Sequence, residues 1–147
     1  MPVRGIGCDI LRMARLDELG VRRGGLARLA VRILTPPEHQ LYSVLPSSEQ
    51  QRFLAVRYVM SLGLLRFYSC VSVESWAAKE ALYKALYPVK LSWKDISVLP
   101  GCGTQHLKPF LQVSDAALAG SKRPNFHLSI THDAGLVVAM VVVEDTL

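Results

Sequence analysis

The sequence predicts an α+β domain in which an antiparallel sheet packs against helices. Strand-like runs lie at both ends of the 147-residue chain, and helical patterns are grouped between them. A doubly wound sheet would instead alternate strands and helices along the chain. Half of the residues are hydrophobic, so a single domain of this length can bury a core of its own.

The first part of the chain predicts one strand followed by helical segments. "VRGIGCDI" is a short apolar run that ends at Asp9, as an opening strand does. A helical stretch covers residues 12–20, a Gly-Gly pair at 24–25 interrupts it, and "LARLAVRIL" resumes the helical spacing. "TPPEHQLY" starts a further helix, because Thr35 is a good N-cap residue and Glu38 completes a capping box.

The second part predicts a long helix and four strands. The helix covers residues 76–87 and ends at Pro88. "DISVLPG" and "PFLQV" are typical of two short strands, and "DAALAG" of a short helix that ends at Gly120. "FHLSI" alternates, so that His127 and Ser129 face outward, and "LVVAMVVV" predicts a buried strand.

Charge and cysteine content restrict the class of protein. The net charge of +5 favours phosphate-bearing ligands or acidic protein partners. The three cysteines are widely spaced, which predicts a reducing compartment rather than a disulfide framework. The sequence shows no secretory leader and no apolar run long enough to span a bilayer. We therefore expect a cytoplasmic protein without membrane contact, with mitochondrial import as the alternative.

Five polar residues are candidates for chemistry, although each has an ordinary structural explanation when taken alone. Asp9 resembles a turn-forming aspartate, and Glu80 and Lys84 have the spacing of a helix-surface ion pair that contributes ~0.2–0.5 kcal/mol. His132 follows a strand, and Arg57 lies on a predicted helix. Taken together, two carboxylates with basic groups nearby suit Mg²⁺ on a polyphosphate, because this ion prefers one or two carboxylates plus phosphate oxygens.

Six short motifs occur in a fixed order along the chain: "GIGCDI", "RILTPPE", "FLAVR", "WAAKEALYKAL", "LSWKDISV" and "HLSITHD". Together they resemble the 4'-phosphopantetheinyl transferases of the holo-acyl-carrier-protein synthase type. The resemblance implies transfer of 4'-phosphopantetheine from coenzyme A to a serine of an apo acyl carrier protein, with release of adenosine 3',5'-bisphosphate. It also implies a role in fatty-acid biosynthesis and lipid metabolism, and a homotrimer that binds coenzyme A between subunits.

The resemblance also assigns roles to the candidate residues. Asp9 and Glu80 match the carboxylates that hold Mg²⁺, with Mn²⁺ as an alternative, against the pyrophosphate of coenzyme A. Lys84 matches a residue that contacts a phosphate and supports the displacement. Arg57 and His132 match residues that line the coenzyme A phosphates. Because the nucleophile belongs to the carrier, Glu80 is the candidate to accept the proton of its serine.

The arginines of the first helical region predict a docking surface for an acidic carrier protein. By the resemblance Arg15 meets the carrier, and Arg12, Arg22 and Arg23 extend the same basic region. A different Mg²⁺-dependent phosphodiester enzyme, such as a small nuclease, is an alternative that would use the same site residues. A basic nucleic-acid-binding module is another, but the sequence carries no recognised RNA- or DNA-binding motif, and we expect no such partner.

Residues 58–75, "YVMSLGLLRFYSCVSVES", interrupt the resemblance. Without them "FLAVR" would continue directly into "WAAKEALYKAL" as one helix. The segment mixes glycine, valines and serines and has no helical apolar stripe. We predict a single domain over residues 1–147 with an atypical insertion at 58–75, which is either a lineage-specific element or an artefact of exon assignment.

Overall fold

The computed structural model describes residues 2–22, 24–46, 50, 75–99, 101, 108–118 and 123–146. The strands are β1 (Val3–Arg12), β2 (Ile96–Leu99), β3 (Phe110–Val113), β4 (Asn125–Asp133) and β5 (Leu136–Glu144). The helices are α1 (Met13–Arg22), α2 (Leu26–Ile33), α3 (Pro36–Ser43) and α4 (Ser75–Ala85), and a 3-10 helix covers Trp93–Asp95. Strands near both ends with helices between them confirm the predicted α+β class.

The main sheet has three antiparallel strands in the order β1-β5-β4. The β4–β5 hairpin turns at Ala134 and Gly135, whose positive φ angles of 47° and 76° are those of a tight two-residue turn. The Gly135 carbonyl accepts a hydrogen bond of 2.9 Å from the Met13 N–H, which ties the turn to the start of α1. Across the sheet Asp9 pairs with Ala139, and Ala139 pairs with Ile130. Because paired residues project to the same side, the sheet has one inner and one outer face.

Helix α4 packs on the inner face of this sheet, over β1 and β5. The residues that it turns towards the strands include Ala81 and Ala85, both buried. A Cβ atom added to Gly5 would collide with the Ala85 carbonyl group, and one added to Gly7 would collide with the Ala81 carbonyl group. Strand and helix therefore meet backbone to backbone, a spacing that only glycine permits at these two positions.

The outer face of the sheet is apolar and exposed. Ile6, Ile10 and Met140 have exposed fractions of 64%, 59% and 47%. The prediction that "LVVAMVVV" is a buried strand holds for one face only: β5 buries Val137 and its alternate neighbours, while Met140 points outward. An antiparallel sheet that packs helices on one side only produces this alternation.

A buried ion pair joins α3 to α4. Lys79 and Glu38 are 1% and 0% exposed, and Lys79 Nζ lies 2.6 Å from Glu38 Oε2. The same Oε2 accepts the Thr35 N–H at 2.7 Å, which confirms the predicted capping box of α3. Glu38 Oε1 accepts the Val98 N–H of β2 at 3.0 Å. The Glu38 carboxylate thus accepts hydrogen bonds both from the start of α3 and from β2.

The second sheet confirms the two short strands predicted after α4, since β2 and β3 form an antiparallel pair. The short helix predicted in "DAALAG" is wrong for the residues described there. The Ala117 N–H donates to the Ser114 carbonyl and the Leu118 N–H to the Asp115 carbonyl, which are the bonds of successive turns. Such a short segment gains too few hydrogen bonds to offset the nucleation of an α-helix.

Two strands extend further than predicted. Asp9 lies inside β1 rather than at its end, because pairing with β5 continues to Arg12. His132 likewise lies within β4.

Ser75, the last residue of the predicted insertion, is the first residue of α4 and is buried. The described residues do not include Arg23, Arg57 or the rest of the insertion, residues 58–74. No helix among the described residues could span a membrane.

Candidate active site

Asp9 and Lys84 meet where α4 crosses the edge strand β1. Lys84 Nζ donates to Asp9 Oδ1 at 2.7 Å and to the carbonyl oxygen of Cys8 at 2.9 Å. The side chain of Lys84 is 48% exposed, and that of Asp9 is 16% exposed. The ion pair of Lys84 therefore joins two elements of the fold, and it is not the local pair with Glu80 that helical spacing alone would suggest.

Glu80 lies in the electrostatic field of the same two residues. Burial raises the pKa of Glu80, and repulsion from the Asp9 carboxylate raises it further. The positive charges of Lys84 and Arg15 act in the opposite direction and lower it. The pKa of Glu80 remains above its ordinary value. The side chains of Asp9, Arg15, Glu80 and Lys84 therefore form one charged group where β1, α1 and α4 come together.

A cavity of about 160 Å³ opens beside Glu80. Its other lining residues are Tyr83, Leu91, Ser92, Trp93 and Ile96. The indole of Trp93 rests against that of Trp76, with ring centroids 4.8 Å apart. A largely apolar cavity with a carboxylate on its wall suits a ligand that combines an apolar arm with a charged group.

The carboxylates of this site fit a divalent cation that reaches the protein with a phosphate ligand. Within the described part of the chain, no three His, Cys, Asp or Glu side chains come together as a metal site. Asp9 and Glu80 supply two carboxylates, and a cation would relieve the repulsion between them. Mg²⁺ is suited to such a pair, because it takes its remaining oxygen ligands from water and phosphate.

Comparison with known proteins identifies the family. No family model matches the chain. A holo-[acyl-carrier-protein] synthase of Clavibacter sepedonicus is 34% identical over 146 residues, which cover 97% of this chain and 96% of the relative. The chain belongs to the holo-[acyl-carrier-protein] synthase family.

Solved structures of synthases share the fold. A holo-(acyl-carrier-protein) synthase from Bacillus anthracis, in complex with CoA (3',5'-ADP), has a TM-score of 0.61 and 26% identity, with 98% of each chain covered. The holo-ACP-synthase of Plasmodium yoelii has a TM-score of 0.68 at 20% identity, with 99% of this chain and 98% of that one covered. At that identity the second likeness shows the fold alone.

The family confirms the activity that the six motifs predict. This synthase is an enzyme that transfers the 4'-phosphopantetheine group from coenzyme A to an acyl carrier protein. The two alternatives, a different Mg²⁺-dependent phosphodiester enzyme and a nucleic-acid-binding module, find no support in the comparisons.

The structure of the synthase does not bring all predicted site residues together. His132 is exposed on β4, where it pairs with Val137, and Val137 pairs with Leu11. This register places His132 on the inner face with Asp9 but two strands away, roughly 10 Å across the sheet. Arg57 lies outside the described residues.

Two features of the site are absent from the predictions. Leu91, Ser92, Trp93 and Ile96 line the cavity, although no residue of "LSWKDISV" was predicted to belong to the site. Arg15 acts on Glu80 as well as lying on the predicted docking surface. The second feature had a signal in the sequence, because Arg15 follows Asp9 closely along the chain and the helical pattern begins at residue 12.

Proposed function

We propose that transfer takes place where Asp9, Glu80 and Lys84 meet, with coenzyme A bound there as the substrate and Mg²⁺ as the metal ion. The observation that carries this proposal is that two carboxylates from different motifs repel each other beside a shared lysine. Asp9 and Glu80 would hold the ion, and Lys84 would face the phosphates. Mn²⁺ accepts the same oxygen ligands and is the alternative ion.

The reaction requires one proton transfer and the exchange of one phosphorus–oxygen bond. The serine oxygen of the carrier bonds to the phosphorus that bears pantetheine, and the bond from that phosphorus to the bridging oxygen breaks. Adenosine 3',5'-bisphosphate leaves with the electron pair of the broken bond. Glu80 is the candidate to accept the serine proton, either directly or through a water bound to the metal ion.

Lys84 stabilises the leaving group in this scheme. Phosphoryl transfer depends mainly on positioning and on charge placed where negative charge develops. The side chain of Lys84 is half-exposed and its ammonium group lies at the Asp9 carboxylate, so it can face a phosphate that arrives from solvent. Bound Mg²⁺ would supply further positive charge to the pyrophosphate oxygens.

We further propose that a second copy of the chain completes the site within a homotrimer. Within one chain His132 lies roughly 10 Å across the sheet from Asp9, and in the proposed trimer coenzyme A lies in a cleft between subunits. The exposed outer face with Ile6, Ile10 and Met140 offers an apolar surface for assembly. Light scattering of the active enzyme should give the mass of three 16.2-kDa chains, and Ile10→Glu should reduce it. A fully active monomer would overturn this assembly.

The partner in this proposal is an apo acyl carrier protein that docks on α1 and on the adjoining end of β1. Arg12, Arg15 and Arg22 are all exposed, and their charge would attract an acidic surface. Because Arg15 also acts on Glu80, the docking surface leads directly to the proposed reaction site. We place the reaction in the cytoplasm, where carrier and enzyme thiols such as that of Cys8 remain reduced.

The direct test mixes the protein with coenzyme A, Mg²⁺ and an apo acyl carrier protein, and detects the phosphopantetheine adduct by mass spectrometry. Asp9→Ala and Glu80→Gln should each lower turnover by roughly 100-fold or more while the proteins stay folded. Asp115→Asn is the matched control, since this carboxylate pairs with Arg123 on the surface. Near-normal turnover of either site variant would disprove the assignment.

A further inference from the structure

Lys79, the residue before Glu80 in α4, donates three hydrogen bonds to other parts of the fold. Lys79 Nζ donates to the Ile33 carbonyl at 2.8 Å, to Glu38 Oε2 at 2.6 Å and to the Trp93 carbonyl at 3.2 Å. These acceptors belong to the end of α2, the first turn of α3 and the 3-10 helix. An ammonium group has three protons to donate, so the hydrogen-bonding capacity of this buried group is fully used.

Its partner Glu38 is held as firmly. Glu38 Oε2 also accepts the N–H of Thr35 at 2.7 Å and its hydroxyl at 2.9 Å, and Oε1 accepts the Val98 N–H at 3.0 Å. The Ser97 hydroxyl donates to Thr35 Oγ1 at 2.9 Å and extends the network along β2. Lys79 is therefore attached to a group that cannot shift without breaking bonds in α3 and β2.

These contacts add a restraint on the rotation of α4 about its axis. Contact with Gly5 and Gly7 sets how closely α4 approaches β1, and the bond from Lys84 to Asp9 and the buried side chain of Leu82 already oppose rotation. Lys79 fixes that rotation from another side of the helix. Successive helical residues are about 100° apart, so a fixed Lys79 determines the direction of Glu80.

We propose that Lys79, held by Glu38, is a positioning residue that directs Glu80 towards Asp9. This inference rests on the proposed role of Glu80 in the transfer. The pair touches none of the reacting groups and acts through the orientation of α4. Buried ion pairs contribute little net stability compared with apolar residues of the same size, and their best-attested use is to select one arrangement of the chain.

The chain offers a matched control in Lys94. Its Nζ donates to the carbonyl groups of Val31 and Leu34, at the same end of α2 that Lys79 contacts through Ile33. Neither of these bonds involves α4. Lys94→Met therefore removes the same kind of lysine-to-carbonyl contact without releasing the helix that carries Glu80.

The test compares Lys79→Met/Glu38→Gln with Lys94→Met and the parent enzyme. The double variant removes both charges, so it leaves no unpaired buried ion. We expect it to fold but to show turnover about 100-fold lower, as for a misplacement of about 1 Å at a reacting group. The KM for the carrier protein should stay within about twofold of the parent value. Mn²⁺ binding in the presence of coenzyme A, followed by electron paramagnetic resonance, should weaken in parallel, while Lys94→Met changes neither property.

Two further variants make the outcome decisive. Glu38→Gln alone keeps an acceptor for Thr35 and leaves Lys79 bonded to the Ile33 and Trp93 carbonyl groups, so it should show a smaller loss of turnover in the same direction. Its stability should fall, because the buried ammonium group loses its counter-charge. Lys79→Arg keeps the charge and should retain part of the turnover that Lys79→Met/Glu38→Gln loses. Wild-type turnover and Mn²⁺ affinity in folded Lys79→Met/Glu38→Gln, or in Glu38→Gln if the double variant does not fold, would overturn the inference even where Glu80→Gln is inactive. An active Glu80→Gln would instead overturn the proposed site and this inference with it.

Discussion

Adding one methyl group at Gly7 should separate the two elements that carry Asp9 and Glu80, the carboxylates of the proposed site. A Cβ atom at this position would lie 2.7 Å from Ala85 N and 2.9 Å from Ala81 C, with the Ala81 carbonyl oxygen nearer still. Real Cβ atoms essentially never come within 3.0 Å of such atoms, and helix backbone cannot rotate away as a side chain can. Relief therefore requires α4 to move from β1 by about 1 Å, a misplacement that can reduce turnover about 100-fold.

The same change should lower stability, because overpacking a close contact typically destabilises a protein by about 1–3 kcal/mol. Gly5→Ala is the matched variant, since its added Cβ meets the Ala85 carbonyl group one helical turn further from Glu80. Urea unfolding should give similar losses of stability for Gly7→Ala and Gly5→Ala. Steady-state transfer to the carrier protein should give the larger fall in kcat for Gly7→Ala, because Gly7 is nearer to Asp9.

Two results would refute this reasoning. Wild-type stability and turnover in Gly7→Ala would show that β1 and α4 do not meet as closely as the backbone positions indicate. Equal losses of kcat in the two variants at equal stability would show that any loosening of the fold, rather than the separation of Asp9 from Glu80, limits the reaction.

Three further predictions concern docking, acid stability and the insertion. Arg22→Glu should raise the KM for the carrier protein, more at low salt, and leave that for coenzyme A unchanged; Arg15 is a poorer choice because it also acts on Glu80. The hydrogen bond from the Ser92 N–H to the carboxylate of Asp95 lowers the pKa of Asp95. The stability that this bond gives to the folded protein is present above the ordinary aspartate pKa and is lost as the pH falls through the lowered value. Asp95→Asn should therefore cost about 1 kcal/mol in urea unfolding at neutral pH and less in acid. Deleting residues 58–74 should preserve or improve transfer and solubility if residues 1–147 form one domain with a dispensable insertion; loss of folding would show that the segment is part of the fold.

The parts of the fold that local sequence patterns control could be predicted. The capping box at Thr35 and Glu38 marks the start of α3, and alternation identifies the inner and outer residues of β4. The ends of β1 could not be predicted, because they depend on the length of its partner β5 rather than on any local residue. The exposed side of β5 was missed for the same reason: a run of valines does not reveal that one face of a sheet lacks a covering helix.

In the candidate site, the residues could be predicted from the sequence, but some of their contacts could not. Asp9, Glu80 and Lys84 belong to recognisable motifs, and the structure brings them together. The preference of Lys84 for Asp9 over Glu80 depends on how closely α4 lies on β1, which no helical spacing encodes. The buried charge of Lys79 was also hidden, since a lysine in a helix is ordinarily solvated and only the tertiary fold supplies its three acceptors.

The bond between the β4–β5 turn and α1 has a practical consequence for protein engineering. Exposed hairpin tips are usually chosen for epitope tags, fluorescent labels or new chain termini, because insertions there are well tolerated. In this enzyme the carbonyl of Gly135 receives the first N–H of α1, so a graft at the tip would pull on the helix that carries Arg15. A reporter for carrier binding inserted there would alter the encounter that it was meant to observe. The turn around Ala116 has no such bond to α1 among the described residues, since its backbone bonds are made within the turn.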